Sequence, residues 1–429
     1  MQRQPPRALG HEPALDGVRG FAVLTVVVWH FGPIYNEGPL PWMRAGHLGV
    51  DLFFVLSGFL ITALMLRERN ETGVISFRGF YRRRVFRLLP ALAVFLLGHL
   101  LFALTSDVES TLLSPGTELR NEIPSLLGAQ FFVLNLLHHV WDFTITLGMS
   151  HLRSLSVEEQ FYLVWPTVMV LVLSGRARPS RLISAAMSTT VALTAFGYTW
   201  DDQAMGIRLA LSAAVALAVG VALESLRGRH RDLWISGLFL SIVAAVNLYR
   251  VGAYEGPLDL FGLYTGTLSR ADQLVIGALL AVLWTGRWIP RRAPGIVTLG
   301  GWLVLLWAIW QKDFTTGFFP NGGWTVVALA GAAIIWGSLN AEGTAQGLLL
   351  SQGWLRSIGK VAYGLYLWHG LMLEVVEVHF DGQPLWIRAV LGLGSSAAIT
   401  AASWHYLEKP MLAFKRPKAE RNAPAAAAA

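Results

Sequence analysis

The chain has 429 residues, of which 54% are hydrophobic and only 14% are charged. Soluble globular proteins carry about 25% charged residues, and a soluble fold could not bury this much apolar surface while covering its outside with polar groups. The sequence contains no cysteine, which excludes a disulfide-built module, cysteine nucleophiles and cysteine metal sites. We therefore predict an all-α, polytopic transmembrane helical bundle.

Twelve apolar stretches of about 17 to 22 residues are long enough to cross a bilayer as helices. They lie at 18–34, 48–66, 88–105, 157–174, 182–199, 206–224, 233–249, 270–286, 295–311, 324–340, 361–379 and 386–407. A weaker stretch at 124–147 contains Asn135, His138 and His139, and we interpret it as interfacial or re-entrant. Because two weak helices can belong to one broken helix, the prediction is about 10 to 12 spans.

The distribution of lysine and arginine predicts the orientation. The chain has 34 basic and 27 acidic residues, a surplus of seven. With the N-terminus inside, 23 basic residues fall in the inside loops and the tail, and 4 fall outside. The positive-inside rule therefore predicts a protein of the plasma (inner) membrane with both termini in the cytoplasm. The predicted parts are a cytoplasmic segment 1–14, a transmembrane domain 15–410 and a disordered basic tail 411–429. Topology explains most of the surplus, so we expect no nucleic-acid partner.

The first predicted helix carries Arg19 and His30, eleven residues apart. This spacing is about three helical turns, or roughly 16 Å, and puts both side chains on one face. Ionisable groups inside a membrane are costly and mark functional sites, and histidine is suited to accept a proton near neutral pH. The alternative is an interfacial arginine and a histidine satisfied within the core.

Four arginines precede the third apolar stretch, and two of them, Arg84 and Arg87, lie at positions i and i+3 on one helix face. Such a pair is suited to bind phosphates in a bidentate manner. The residues therefore indicate a nucleotide-like anionic ligand on the inside, although an arginine run is also the ordinary topological signal.

The fourth span begins with two adjacent carboxylates, Glu158 and Glu159, followed by Tyr162. Helical geometry places Glu158 and Tyr162 on one face, with Glu159 turned about 100° away. A carboxylate here could orient His30, as in a catalytic triad, or it could simply stabilise the helix N-terminus. Near the other end of the chain, His369 follows two tyrosines at helical spacing, a pattern that is also typical of helix packing.

Taken together, these segments resemble the membrane-bound acyltransferase-3 family, the polytopic O-acyltransferases that modify bacterial surface sugars and some small metabolites. The resemblance covers nearly the whole chain in order. Its segments are Arg19 to His30, 49–60 (GVDLFFVLSGFL), Arg84 to Arg87, 154–162 (SLSVEEQFY), 269–277 (SRADQLVIG) and 363–369 (YGLYLWH).

The resemblance implies an acyltransferase that takes its acyl group, often acetyl, from cytoplasmic acyl-CoA. The acceptor is a hydroxyl of a cell-surface or lipid-linked glycan or of a glycosylated small molecule. In this family the first-helix arginine and histidine and the Arg-x-x-Arg pair are regarded as essential, which points to Arg19, His30, Arg84 and Arg87. Either glutamate at 158–159 matches the acidic position of the family. We expect no metal.

The remaining site predictions concern the two ligands. We expect Arg83 to assist donor binding, and Tyr162, Gln160, Arg153 and His369 to contact the acceptor. The family usually has tryptophan where this chain has Arg153, and this added charge affects the expected acceptor rather than the reaction. Membrane lipid is an expected partner, and the oligomeric state is left open.

The main alternative is a secondary transporter, because about twelve spans with inside termini are typical of that class. Transporters usually consist of two related halves, and we find no such repeat. A lipid-sugar glycosyltransferase is a second alternative; it requires paired acids in the first outer loop, where 35–47 offers only Glu37.

Overall fold

A computed structural model of the chain is all α-helical where it is described. The described residues are 6–31, 46–105, 119–140, 147–174, 231–254, 260–311, 317–412 and 414. The predicted spans 182–199 and 206–224, and the basic tail from 415 onward, lie outside the described residues.

Seventeen α-helices make up the described part of the chain. In chain order they are α1 (Pro13–Phe31), α2 (Leu48–Thr72), α3 (Phe77–Thr105), α4 (Leu119–Gln130), α5 (Leu134–Val140), α6 (Leu147–Ser150), α7 (Leu152–Ser174), α8 (Arg231–Ala253), α9 (Leu260–Thr265), α10 (Thr267–Thr285), α11 (Gly295–Gln311), α12 (Trp324–Ser338), α13 (Ala345–Leu350), α14 (Gly353–Lys360), α15 (Ala362–Phe380), α16 (Leu385–Ser403) and α17 (Lys409–Leu412). A wider turn, Phe319–Gly323, leads into α12, and another, Trp404–Glu408, follows α16.

Seven of the described helical segments are long and apolar enough to cross a membrane. They are Pro13–Phe31, Leu48–Thr72, Phe77–Thr105, Ile235–Ala253, Thr267–Thr285, Phe319–Ser338 and Leu385–Leu412. The prediction of a polytopic helical membrane protein is therefore confirmed, whereas the orientation of its termini stays a prediction. Helices α7 and α15 have sufficient length, but they carry the polar motif residues and are not among the seven.

Over its described part, 124–140, the weaker stretch 124–147 forms short helices rather than one continuous helix. Helix α4 ends at Gln130, and Phe132 takes a left-handed backbone conformation (φ 55°) before α5 begins. A bulky residue with positive φ is rare and marks a local turn, which is consistent with the polar composition of this stretch.

The chain divides into two compact units. The first comprises Met1–Ile75, Asn135–Phe143 and Arg153–Lys360, and the second comprises Ser76–Leu134, Thr144–Leu152 and Val361–Ala429.

In the first unit, α2 packs closely along α10. A Cβ added to Gly58 would lie 1.9 Å from the carbonyl oxygen of Leu274, and one added to Gly277 would lie 2.0 Å from that of Val55. Small residues at helix interfaces let backbones approach within van der Waals contact, which drives association inside a bilayer. These two glycines therefore fix the α2–α10 contact, and α1 and α12 pack onto the same core.

In the second unit, α15 packs against α3, α6 and α16. Phe95 of α3 and Trp368 of α15 are buried with their rings 5.4 Å apart in an edge-on arrangement, which is favourable for aromatic pairs. The hydroxyl of Tyr363 donates to the carbonyl oxygen of Leu88 (3.0 Å). These contacts hold the predicted C-terminal motif against α3.

Candidate active site

Helix α1 positions Arg19 and His30 near its opposite ends. It begins at Pro13, before the predicted apolar stretch, because proline suits the first helical position. The Arg19 guanidinium donates to Asp16 (3.1 Å) one turn earlier and is partly buried. His30, in the last turn, is half-buried beside the ring of Trp29 (4.6 Å between centroids).

The backbone fixes which nitrogen of His30 can act as a base. Its Nδ1 lies 2.9 Å from the carbonyl oxygen of Val26. Since a carbonyl oxygen only accepts hydrogen bonds, Nδ1 is the donor, and Nε2 is the basic nitrogen of the neutral ring. This arrangement suits a general base that takes a proton on Nε2.

Glu158 accepts two hydroxyl hydrogen bonds at one oxygen. The hydroxyls of Ser57 in α2 and of Tyr162 in α7 both donate to Oε1, the latter over 2.5 Å. The prediction that Glu158 and Tyr162 share one helix face is confirmed. The contacts of His30 described above are with Val26 and Trp29, so its orientation by Glu158 or Glu159 stays a prediction.

Gln160 belongs to a closed ring of hydrogen bonds that joins three helices. Its amide nitrogen donates to Asn135 of α5 (2.9 Å), its amide oxygen accepts from the hydroxyl of Thr267 in α10, and Asn135 donates to Thr267 (2.9 Å). Asn135 is fully buried. The ring therefore fixes α7 relative to α10, which is a structural role of Gln160. The predicted contact of Gln160 with the acceptor stays a prediction.

Arg153 is buried at the start of α7, and its guanidinium lies 4.8 Å from the centre of the Phe261 ring. The side chains of its neighbour Ser154 and of Tyr264 lie close together. Phe261 and Tyr264 are one turn apart in α9, so two successive residues of α7 contact the same face of this short helix.

The first unit also contains two buried ion pairs that the site predictions missed. Arg270 donates to Asp51 (2.6 Å), which also accepts from Gln273 (2.5 Å), and Arg250 binds Asp272 with both terminal nitrogens (2.8 and 3.0 Å). All five side chains are fully buried. Four of these residues lie inside the segments 49–60 and 269–277 of the family resemblance, namely Asp51, Arg270, Asp272 and Gln273. Their place in these segments was the sequence signal that could have identified them.

Aromatic contacts connect the end of α1 to one of these pairs. The ring of the buried His47 lies 5.6 Å from Trp29 and 5.8 Å from Tyr264, and Tyr264 lies 4.7 Å from the guanidinium of Arg270. No sequence pattern pointed to His47, because it lies outside all the segments that carry the family resemblance.

In the second unit, the arginines of α3 lie in its first turns. Arg83 and Arg87 are exposed and Arg84 is half-buried, while Arg82 donates to the carbonyl oxygen of Phe414 (2.9 Å). Arg87 also interacts electrostatically with Glu408.

His369 lies in a group of buried histidines within the second unit. Its ring is 4.7 Å from that of His151. In the same unit, the buried His99 of α3 pairs with Glu374 of α15, with 3.3 Å between Nε2 and Oε2. Among the residues that the structure describes, no group of three or more His, Asp or Glu side chains is arranged to hold a metal ion. The predicted acceptor contact of His369 stays a prediction.

Comparison with known proteins gives the family. The family model of the acyltransferase domain matches residues 12–405. A putative peptidoglycan O-acetyltransferase of Bacillus subtilis is 28% identical over 413 residues, which cover 93% of this chain and 54% of the relative. The peptidoglycan O-acetyltransferase of Listeria monocytogenes is 26% identical over 428 residues, which cover 96% and 57%.

A putative O-acetyltransferase of Staphylococcus aureus is 25% identical over 418 residues, which cover 94% of this chain and 58% of the relative. The chain therefore spans a little more than half the length of these relatives. No solved structure gives a significant match. The model match over nearly the whole chain confirms the resemblance drawn from the motifs and favours an enzyme over a transporter. The chain belongs to the membrane-bound acyltransferase-3 family.

Proposed function

We propose that the chain is an integral-membrane O-acetyltransferase that moves an acetyl group from cytoplasmic acyl-CoA to a hydroxyl of a cell-surface or lipid-linked glycan, or of a glycosylated small molecule. The observation that carries this proposal is the match of the acyltransferase model over residues 12–405, which include every motif residue. The names of the relatives support acetyl as the acyl group and a glycan as the acceptor.

His30 supplies the acid–base chemistry of the proposed reaction. Its Nε2 takes the proton of the acceptor hydroxyl, the oxygen attacks the thioester carbonyl carbon, and the carbon–sulfur bond breaks. Coenzyme A leaves as a thiolate and takes the proton from His30, so protons balance without a further reactant. In the alternative route, Nε2 itself attacks the thioester carbonyl carbon and the carbon–sulfur bond breaks; the acceptor oxygen then displaces the acetyl group from His30, and the acceptor proton passes to the thiolate. General base catalysis of this kind contributes about 10²- to 10⁴-fold in rate.

Carboxylate and cationic groups support this proton transfer. Glu158 or Glu159 stabilises the positive charge that develops on His30, while Arg19 or Tyr162 stabilises negative charge on the thioester oxygen. The two hydroxyl donors on Glu158 hold its carboxylate in one position. Preorganised groups of this kind require no rearrangement when charge develops.

Arg84 and Arg87, assisted by Arg83, hold the phosphates of the donor. Guanidinium groups bind phosphate oxygens in a bidentate geometry that lysine cannot reproduce. The excess of basic residues in the predicted inside loops supports a plasma-membrane enzyme with both termini in the cytoplasm. Its acyltransferase domain spans 15–410. In this orientation the three arginines lie on the cytoplasmic side, where acyl-CoA is made.

The test is acetyl transfer in isolated membranes. Membranes that contain the wild type, His30→Ala or His379→Ala are incubated with radiolabelled acetyl-CoA, and label is measured in extractable glycans. His379 is a matched control, because it is exposed in the last turn of α15 and its Nδ1 contacts the carbonyl oxygen of Val375 (3.0 Å), as His30 contacts Val26.

We expect transfer by the wild type and His379→Ala and a loss of at least about 100-fold in His30→Ala. Equal transfer by His30→Ala would contradict the role of His30. The absence of transfer in all three samples, together with movement of a solute across the membrane, would support the transporter alternative instead.

A further inference from the structure

Arg153 differs from the other buried arginines of the first unit because none of the carboxylates that the structure describes pairs with it. Arg250 and Arg270 each bind an aspartate and are fully buried. Arg153 is only 8% exposed, and within the described chain it makes no hydrogen bond and no ion pair. Its one partner there is the ring of Phe261.

The guanidinium of Arg153 nevertheless keeps an accessible edge. Of its three nitrogens, only Nε is buried without a hydrogen bond, so the two Nη atoms face accessible space. Phe261, on which the guanidinium rests, is itself 37% exposed. Neither of the two glutamates that follow in α7 forms an ion pair with Arg153, so its positive charge is not neutralised by its own helix.

An uncompensated charge at this depth is costly to the protein alone. Buried charges are normally paired or fully hydrogen-bonded, and a cation–π contact recovers only part of the lost hydration. A bound oxyanion would supply the missing countercharge and two acceptor oxygens that match the guanidinium fork.

We propose that Arg153 binds an oxyanion, a carboxylate or a phosphate, carried by the acceptor molecule, so that this enzyme acts on acidic rather than neutral sugars. This proposal rests on the proposed function, because it assumes that α7 contributes to the acceptor site. Ser154, the next residue, lies close to Tyr264. The ring of Tyr264 in turn lies 4.7 Å from the guanidinium of Arg270, whose charge is balanced by Asp51. Among the described residues, Arg153 is thus the buried arginine of the first unit that has no carboxylate partner.

The experiment measures sugar binding separately from acetyl transfer. The full chain is purified in detergent, and the dissociation constants of glucose, glucuronate and glucose 1-phosphate are measured by competition with a radiolabelled sugar. The variants are Arg153→Met, which removes the charge, Arg153→Lys, which keeps it, and Arg153→Trp, which keeps a planar side chain over Phe261. Arg67→Met, at an exposed ion pair in α2, is the control.

Because a hydrogen-bonded ion pair contributes about ten- to hundredfold in affinity, the wild type and Arg67→Met should prefer glucuronate or glucose 1-phosphate to glucose by this factor. The preference should disappear in the methionine and tryptophan variants and decrease in Arg153→Lys, with no loss of thermal stability. Comparison of the two acidic sugars identifies the oxyanion as carboxylate or phosphate.

The proposal would be overturned by equal affinity of the wild type for glucose and both acids, by an unchanged preference in Arg153→Met, or by no measurable binding of any of the three sugars. A preference that instead follows the addition of phosphatidylglycerol vesicles would also overturn it, because the anion would then be a lipid headgroup. If binding depends on Arg153 as expected while no sugar is acetylated from acetyl-CoA, the proposed function fails and the anion site stands.

Discussion

Burial, and not distance, should decide how much an ion pair contributes to the stability of this protein. Arg270 and Asp51 lie 2.6 Å apart with both side chains 0% exposed, whereas Arg67 and Glu71 lie 2.7 Å apart with 44% and 54% of their side chains exposed. The two pairs thus have nearly the same separation in different surroundings. The perturbation is removal of one partner from each pair, in Asp51→Leu and Glu71→Ala.

Asp51→Leu leaves the guanidinium of Arg270 charged, buried and without its carboxylate, and Gln273 also loses its acceptor. Breaking a buried pair in this way costs about 3–5 kcal/mol. Glu71→Ala should cost about 0.5 kcal/mol, because solvent screens an exposed pair within one helix. The double variant Asp51→Leu with Arg270→Met removes both charges and should recover most of the loss.

The assay is denaturant titration of the purified protein in detergent, followed by tryptophan fluorescence, with the free energy of unfolding compared at equal slope. The double-mutant cycle separates the pair from the single losses. Equal losses for Asp51→Leu and Glu71→Ala, or a double variant as unstable as Asp51→Leu alone, would refute the reasoning.

Three further predictions concern catalysis, packing and donor binding. Glu158→Gln should reduce initial rates of acetyl transfer by about 100-fold or more, with a much smaller effect of Glu159→Gln; equal losses would show that the hydroxyl contacts of Glu158 are irrelevant to catalysis. Gly277→Val should cost more than about 1–3 kcal/mol in unfolding titrations, because its added Cβ meets a backbone oxygen at 2.0 Å. Gly300→Val, where nothing lies within 4 Å, should be tolerated, and the reverse order would contradict the packing argument. Arg84→Ala should raise the KM for acetyl-CoA about tenfold with little change in kcat, and Arg84→Lys should rescue it only in part, which steady-state kinetics will measure.

The helical architecture was predictable because a bilayer imposes a simple rule. A spanning segment must satisfy its backbone hydrogen bonds internally and present apolar side chains over about 20 residues. Helices α2, α3 and α10 therefore coincide with apolar stretches of the sequence. The rule says nothing about which helices meet, so the α2–α10 contact had no sequence signal beyond two glycines inside apolar runs.

The same distinction applies to the candidate site. The Glu158–Tyr162 contact followed from helical spacing, since residues four apart lie on one face. The Ser57–Glu158 contact joins residues 101 apart in sequence, and the Asp51–Arg270 pair joins residues 219 apart. Periodicity carries no information about such contacts, although all four residues belong to recognised segments.

Buried arginines that pair with an aspartate and buried arginines that do not can have different roles, and composition alone cannot distinguish them. Only 14% of the residues are charged, and a charge kept inside the bundle must be balanced by another group. Arg250 and Arg270 are balanced within the chain by aspartates on the packed helices α10 and α2, so their charges serve the architecture. Arg153 lacks such a partner among the described residues, and its balance must come from outside them. Under the proposal made above, a bound anionic ligand supplies this balance.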